Sequence, residues 1–379
     1  MATSLVMDGP AESPNPRPRV MHIITDLDTG GAETMLANLV IAQKDKPEPP
    51  VVVSLIPGGS QAARISDAGI EVHNLGMRRG LPNPVALFRL AARIRAHRPK
   101  VIQSWMYHAD LMALLALLLS GRRRHTRLLW GVRCSDMDLS HYSVGLRMVI
   151  RLCAWLSRMP NAVIANSHAG RALHRSLGYR AARFLVTANG VDTKKFQPDP
   201  VARAEVRAEL DLDESDFLVG TSARVDPMKD YPMFMEALGE VKGAHGLAVG
   251  RGTDGLPDQP SFVGLGERAD IPRVLNALDL YVSASAFGEG FSNALVEAMA
   301  TGLPVITTDV GDAALIVDEC GVVVKPHEPR ILAGAIIELK DDPARREHLG
   351  RTARTRVAAK YDLAEIVLDF EALHADWRL

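Results

Sequence analysis

The stretch YVSASAFGEGFSNALVEAMATGLPVITTDVGD, residues 281–312, constrains the fold more than any other, because it combines a strand, a glycine-rich loop, a helix and a second strand. An apolar β-prone run precedes the loop, and the helical pattern ends at a Gly-Leu-Pro turn before the next apolar run. The pattern predicts a βαβ unit. Ser292 or Asn293 is a suitable N-cap, which would direct the free N–H groups of the first helical turn toward the strand's carboxyl edge. We therefore expect an anion or a hydroxyl-rich ligand there.

Two carboxylates frame this predicted site, Glu289 in the loop and Glu297 in the helix. If the helix is capped near Asn293, Glu297 lies roughly 6 Å along its axis, so both acids can reach one small ligand. A structural interpretation is equally open on spacing alone. In that interpretation, Glu289 complements the helix dipole and Glu297 is a solvated helix residue.

A similar strand, glycine loop and helix opens the chain, in the segments VMHIIT, LDTGGAE and ETMLANLVIAQ. Gly30 and Gly31 would let the backbone approach a ligand closely, although paired glycines also occur in ordinary turns. The loop lacks the G-x-G-x-x-G pattern, so NAD binding has weak support. Strand and helix patterns then alternate through Ile164, with a helix predicted over Pro84 to His97. This alternation predicts a doubly wound parallel sheet.

The second half begins with another apolar strand, Phe217 to Ala223, followed by Arg224 and Lys229 in the next loop. A buried strand that delivers two cations to its carboxyl end can hold phosphate oxygens, since arginine supplies a planar fork and lysine a compact charge. The alternative is a solvated basic loop. Spacing alone leaves both interpretations open.

Length and composition set broader limits. A chain of 379 residues predicts two domains, and 44 basic against 45 acidic residues give no bulk support for a nucleic-acid partner. The three cysteines have no disulfide or zinc spacing, which favours a reducing cytoplasm. Residues 1–18 are predicted to be a disordered leader and not a signal peptide. The longest apolar run, Leu111 to Leu119, is too short to span a bilayer.

Two further features of the first half have a structural and a functional interpretation. His108 is predicted at the end of a strand, just ahead of a buried helix, where open α/β sheets bind ligands. A lone histidine is more often structural.

The segment HYSVGLRMVIRLCAWLSRM carries Arg147, Arg151 and Arg158 among apolar residues. It predicts either an ordinary surface helix or a helix that docks on an anionic membrane surface. Arg133 and Ser135 follow another strand and are candidates to face an acceptor.

The segment EGFSNALVEAMATGLPVITTDVGD closely resembles the signature of the family 4 retaining glycosyltransferases, with its E-x7-E pair. The Asn189–Asp192 turn with Phe196 resembles the family's linker between domains, and Arg224 to Lys229 resembles its G-R-x4-K segment. The resemblance runs from about Val20 onward. It implies the GT-B architecture, two Rossmann-like domains with the active site in the cleft between them. The expected domains are 19–189 on the acceptor side, 190–355 for the nucleotide sugar, and a helix in 356–379 that braces the first domain.

The resemblance also implies roles for individual residues. Glu297 would accept from the ribose hydroxyls and Glu289 from a sugar hydroxyl, while a histidine near His108 would lie by the donor sugar and acceptor. Trp105 stands where many relatives have a further histidine. The remaining donor-site residues hold the phosphates and sugar through charge or backbone, namely Gly30, Gly31, Arg224, Lys229, Gly290, Phe291, Ser292 and Asn293.

The function implied is a retaining, metal-independent hexosyl transfer without a cofactor, from a nucleoside-diphosphate sugar (UDP-sugar favoured) to a lipid-linked or saccharide acceptor. Polysaccharide or glycolipid assembly, in the cytoplasm or on the inner face of a membrane, is the expected setting. The D-x-D triplet at Asp26–Asp28 stands in the wrong strand context for a metal site. The segment 250–262 is shorter than the corresponding segment of the relatives, and one helix that they have there is missing. A nucleotide-sugar epimerase and a catalytically inactive, nucleotide-sugar-binding partner subunit are the alternatives.

Overall fold

The structure is a computed structural model that describes residues 19–28, 30–78, 83–135, 143–257, 259 and 261–376. The predicted leader, residues 1–18, lies outside the described residues. Within the described ranges, none of the helices has both the length and the apolar character that a crossing of a membrane requires.

The first half of the described chain forms a parallel sheet of seven strands in the order β3-β2-β1-β4-β5-β6-β7. The strands are β1 (Val20–Ile24), β2 (Val51–Ser54), β3 (Val72–Asn74), β4 (Val101–Trp105), β5 (Arg127–Val132), β6 (Ala162–Ala165) and β7 (Phe184–Val186). The helices around them are α1 (Gly31–Ala42), α2 (Ser60–Asp67), α3 (Pro84–His97), α4 (Tyr107–Leu119), α5 (Val144–Leu156) and α6 (His168–Ser176).

The second half forms a parallel sheet of six strands, counted over the described residues, in the order β10-β9-β8-β11-β12-β13. Helix α7 (Pro200–Glu209) precedes it. The strands are β8 (Phe217–Ser222), β9 (Ala244–Val249), β10 (Phe262–Gly264), β11 (Leu280–Ser283), β12 (Val305–Thr308) and β13 (Val322–Val324). The later helices are α8 (Tyr231–Gly239), α9 (Ile271–Asn276), α10 (Asn293–Ala300), α11 (Ala313–Val317), α12 (Pro329–Asp341), α13 (Pro343–Lys360) and α14 (Leu363–Ala375).

Both sheets reverse their strand order at one point, next to β1 in the first and next to β8 in the second. Helices cover both faces, so strands such as β1, β2 and β12 are buried along their whole length, and apart from His22 in β1 they consist of apolar or small residues. Ligands of open parallel sheets bind at the carboxyl ends of strands where the order reverses. The prediction of two doubly wound, Rossmann-like sheets is confirmed.

The last helix returns from the second domain to the first. Ile366, Val367 and Phe370 of α14 are buried in one cluster with Leu36 of α1 and Trp105 of β4. The linker after β7 contacts the same helix, because Val191 forms an isolated parallel bridge with Asp362. The expected boundary after residue 355 falls inside α13.

Some local predictions need correction. His108 is the second residue of α4 and does not precede the helix, because the helix begins at Tyr107 directly after β4. In the short segment 250–262, the described residues include a single 3-10 turn, Thr253–Gly255; residues 258 and 260 lie outside the described part.

Candidate functional site

A buried charge pair lies beside the start of α10. Lys229 ends a 3-10 turn that follows β8, and its ammonium donates to Oε1 of Glu289 in the loop after β11. The Ser285 hydroxyl donates to the same oxygen at 2.9 Å. Glu289 is only 7% exposed. Because β8 and β11 are neighbours in the sheet, the fold brings together two charges that are 60 residues apart in sequence.

A small cavity lies between this pair and the N-terminus of α10. Ser292 is the N-cap of α10, and its side chain makes no capping hydrogen bond. The first N–H groups of a helix have no partner within the helix, so they are available to an anion at this point. Serine and tyrosine hydroxyls surround the space; its lining includes Ser222, Lys229, Tyr281, Ser285 and Ser292.

Arg224 is on the same loop as Lys229 but does not reach Glu289. Its guanidinium lies 3.1 Å from Oδ2 of Asp226, and its side chain is 59% exposed. The structure therefore joins Lys229 to the carboxylate and leaves Arg224 at the rim, where rotation of a long exposed side chain costs little.

Glu297 lies one helical turn further along α10 and borders a larger cavity between the domains. Burial raises the pKa of Glu297 to about 7, and Lys195 opposes that rise. The carboxyl group therefore changes charge near neutral pH. The cavity contains about 630 Å³ of empty space that is continuous with solvent, and its lining includes Asn38, Arg64, Lys195, Phe196, Asn293 and Glu297.

The glycines of the first domain lie opposite the start of α10. Gly30 is the N-cap of α1. A Cβ atom added to Gly31 would lie 3.3 Å from Nδ2 of Asn293, so α1 begins in close contact with the N-terminus of α10. The Asn293 side chain also accepts a hydrogen bond of 2.8 Å from Nδ2 of Asn189 in the linker. Two helix N-termini thus converge on one space.

The domains touch each other directly at the loop that carries Glu289. The Ser135 hydroxyl donates to the carbonyl oxygen of Gly288 at 2.9 Å. Asp312, after β12, accepts from the backbone N–H groups of His168 and Ala169 at 2.6 and 2.8 Å, where α6 of the other domain begins. Sequence reasoning missed the role of Asp312. The available signal was an acid that follows a buried strand at its carboxyl edge.

His108 and Trp105 lie apart from the charge pair. His108 is exposed in the first turn of α4, and partial burial of its ring lowers its pKa. Within the described residues, it makes no hydrogen bond to Glu289 or Lys229. Trp105 is fully buried, and its Nε1 donates to Nδ1 of His22 at 3.1 Å. Trp105 thus fills the first domain's interior and does not line the cleft.

Arg133 and Ser135 make contacts within the protein. The Arg133 guanidinium lies 4.3 Å from the centroid of the Trp105 ring and donates to Oδ1 of Asn189. The Ser135 hydroxyl is occupied by its contact with the second domain. Both residues therefore connect the first domain to the linker or to the other domain.

Two family profiles match the chain. The profile described as Glycosyltransferase Family 4 matches residues 29–195, and that described as Glycosyl transferases group 1 matches residues 216–342. They cover the two halves that the structure separates.

Curated relatives and solved structures agree. The lipopolysaccharide core biosynthesis mannosyltransferase LpsB of Rhizobium meliloti is 31% identical over 215 residues, which is 50% of this chain and 58% of LpsB. A GDP-mannose-dependent alpha-(1-6)-phosphatidylinositol monomannoside mannosyltransferase of Mycobacterium tuberculosis is 30% identical over 318 residues, 76% of this chain and 80% of that protein. Anabaena HepE in complex with UDP matches with a TM-score of 0.82 and 22% identity, over 94% of this chain and 99% of that one.

The chain spans about half the length of several of the curated relatives that it matches. The mycobacterial relative is matched over most of its length. The structural similarity to HepE supports the assignment of the fold. The two profiles, together with the match to the mycobacterial relative, establish the family. The chain belongs to glycosyltransferase family 4, the group 1 glycosyltransferases of the GT-B architecture.

Proposed function

We propose that this protein is a retaining, metal-independent hexosyltransferase that moves a sugar from a nucleoside-diphosphate sugar to a saccharide or lipid-linked acceptor. The observation that carries the proposal is the buried Lys229–Glu289 pair beside the free N-terminus of α10, inside the cleft between the domains. A cation, a carboxylate and unpaired N–H groups at one point suit a ligand that carries both phosphate and hydroxyl groups.

Donor binding exchanges partners within this site. The diphosphate takes the ammonium of Lys229 and the N–H groups of α10, and the freed Glu289 accepts from a hydroxyl of the sugar. Arg224 swings in from the rim to the phosphates. As the bond to the sugar breaks, these fixed charges stabilise the leaving diphosphate, and one such donor contributes about 3 kcal/mol. The acceptor attacks on the face from which the diphosphate departs, so no covalent nucleophile is assigned.

Glu297 selects the ribose. Its carboxylate accepts from the ribose hydroxyls once it is ionised, and burial holds its pKa near the middle of the physiological range, at about 7.

The nucleotide base of the donor has two candidates, uracil and guanine. The family resemblance favours a UDP-sugar, whereas the mycobacterial relative is named as GDP-mannose-dependent.

A thermal-shift screen with UDP, GDP, ADP and TDP tests the donor site. At about 100 times its dissociation constant, a ligand stabilises the fold by roughly 2.7 kcal/mol. We expect one diphosphate to raise the melting temperature of the wild type and not that of Lys229→Ala or Glu297→Ala. Lys360→Ala, an exposed lysine at the end of α13, is the matched control and should respond like the wild type. Equal responses from all four proteins would contradict the proposed site.

Product analysis tests the reaction. The sugar in the product should keep the anomeric configuration of the donor in proton NMR, and EDTA should leave the rate unchanged. An inverted product would contradict retention. A free epimerised nucleotide sugar formed without acceptor would instead support an epimerase, and donor binding without hydrolysis or transfer would support an inactive partner subunit.

Helix α5 has an exposed face that suits an anionic membrane surface, which would present a lipid-linked acceptor. Apolar side chains at spacings of three and four residues are exposed along it, and α5 contains arginines but no acidic residue. Its exposed apolar residues are Val144, Met148, Leu152 and Trp155, the last 78% exposed. Basic groups beside an apolar stripe bind anionic headgroups and the acyl boundary together.

Vesicle flotation tests this surface. We expect the wild type to float with vesicles that contain anionic phospholipid, and to remain in solution with purely zwitterionic ones. Trp155→Glu should abolish flotation, whereas Leu368→Glu, on an exposed apolar position of α14, should not. Flotation that is unaffected by Trp155→Glu would exclude α5 as the contact.

A further inference from the structure

A group of three metal-ligand side chains lies at the end of the first sheet remote from the cleft. Glu71 directly precedes β3, His73 lies within β3, and His97 is the last residue of α3. Parallel strands begin at the sheet edge opposite their carboxyl ends, so Glu71 lies on the far side of the sheet from the charge pair. Nothing in the proposed transfer reaction uses these residues.

The three side chains already lie within the reach of one ion. Oε1 of Glu71 is 2.6 Å from Nε2 of His73 and 4.0 Å from Nε2 of His97. One ligand atom from each residue lies within 4.8 Å of the others, and the two imidazole centroids are 5.4 Å apart. Around a tetrahedral zinc ion with bonds of about 2.0–2.1 Å, ligand atoms are separated by about 3.3 Å. Small side-chain rotations are therefore sufficient to close the site.

The protein leaves the ring nitrogen of His73 without a good hydrogen bond. Among the residues that the structure describes, buried Nε2 of His73 has no hydrogen-bond partner of normal geometry, although Oε1 of Glu71 lies 2.6 Å away. This ring nitrogen, beside the Glu71 carboxylate, is therefore available to a metal ion.

We propose that Glu71, His73 and His97 bind one zinc-class divalent transition-metal ion, which ties the edge strand β3 to the end of α3. Two imidazoles and one carboxylate match the ligands of zinc, whereas calcium and magnesium require oxygen ligands. A fourth position is left to water. The two histidines are half-buried and Glu71 is exposed, so an ion can enter from solvent.

Isothermal titration of untagged protein with zinc chloride tests the site. We expect one saturable site per chain. His73→Gln and His97→Gln should each weaken it at least about tenfold, because even changes beside a metal ligand cost about 10- to 100-fold in affinity. His348→Gln, at an exposed histidine of α13, is the matched control and should titrate like the wild type.

Cobalt and melting experiments separate this site from incidental surface binding. Cobalt(II) should give the intense visible bands of a tetrahedral centre with the wild type, and zinc should raise its melting temperature but not that of His73→Gln/His97→Gln. Identical zinc isotherms for that double variant and the wild type would overturn the proposal, as would an absence of saturable binding. Neither readout depends on donor binding or on transfer, so failure here is distinct from failure of the proposed reaction.

Discussion

Asp312→Ala offers a test of how closure of the two domains supports catalysis. In the structure, the Asp312 carboxylate is 6% exposed and accepts two backbone hydrogen bonds at the start of α6, from the other domain. A hydrogen bond to a charged group contributes about 1.5–3 kcal/mol net. The lower figure for each of the two gives about 3 kcal/mol, before any contribution of the helix dipole. Alanine removes both acceptors, so the closed arrangement loses about that free energy.

A loss of about 3 kcal/mol corresponds to roughly a 100-fold shift from closed to open, because 1.4 kcal/mol is a factor of ten. The contact lies beside the loop that carries Glu289, since the backbone N–H of Asp312 donates to the carbonyl oxygen of Gly290 at 3.2 Å. We expect kcat/KM for transfer to fall by up to about 100-fold. The open form should be more populated in solution than in the wild type, which increases the average radius of gyration.

Steady-state kinetics and small-angle X-ray scattering measure the two effects. Asp312→Asn keeps one carbonyl acceptor and loses the charge, so it should lie between the wild type and Asp312→Ala. Asp341→Ala, at an exposed acid that ends α12, is the control. If folded Asp312→Ala keeps kcat/KM within about threefold of the wild type and scatters identically, the contact does not govern closure and the reasoning is refuted.

Three further predictions concern single residues. Burial raises the pKa of Glu297 from 4.5 to about 7, so the folded chain keeps a proton that the unfolded chain releases. Wild-type stability should therefore fall by up to about 3 kcal/mol as the pH rises through that interval, and urea unfolding of Glu297→Gln should lack this fall. Gly311→Ala should cost more than about 2 kcal/mol in the same assay, because φ is +64° and the added Cβ would lie 1.7 Å from the carbonyl oxygen of Glu289; an unchanged midpoint would contradict this. Arg207→Ala should cost about 3–5 kcal/mol, or prevent folding, because it removes a buried cation that donates to backbone carbonyl groups, those of Asp213, Asp216 and Ala277.

The elements of the fold could be predicted closely because local physics determines them. The helix predicted from Pro84 to His97 has those bounds, since Asn83 caps it and Arg98 ends it in the left-handed region. Buried parallel strands consist of continuous apolar runs, which glycine and proline separate from the helices. Local patterns therefore sufficed for two doubly wound sheets.

The partners of the charged groups could not be predicted in the same way. Spacing placed Arg224 and Lys229 in one loop, but only the packed sheet shows that Lys229 meets Glu289 and that Arg224 turns to Asp226. The contact of Asp312 with α6 depends on the approach of two domains, which no local pattern encodes. Such contacts are fixed by tertiary geometry.

The return of α14 has a consequence for synthesis of the chain on the ribosome. Domains generally fold as units, the N-terminal one first as the chain emerges. Here, however, Phe370 is fully buried in a cluster with Leu36 and Trp105, and His374 bonds to Gln103 at 2.6 Å. The first domain therefore exposes an apolar groove while the second is being translated. The interior of the first domain closes only when α14 leaves the exit tunnel. The first domain is therefore synthesised first but completed last.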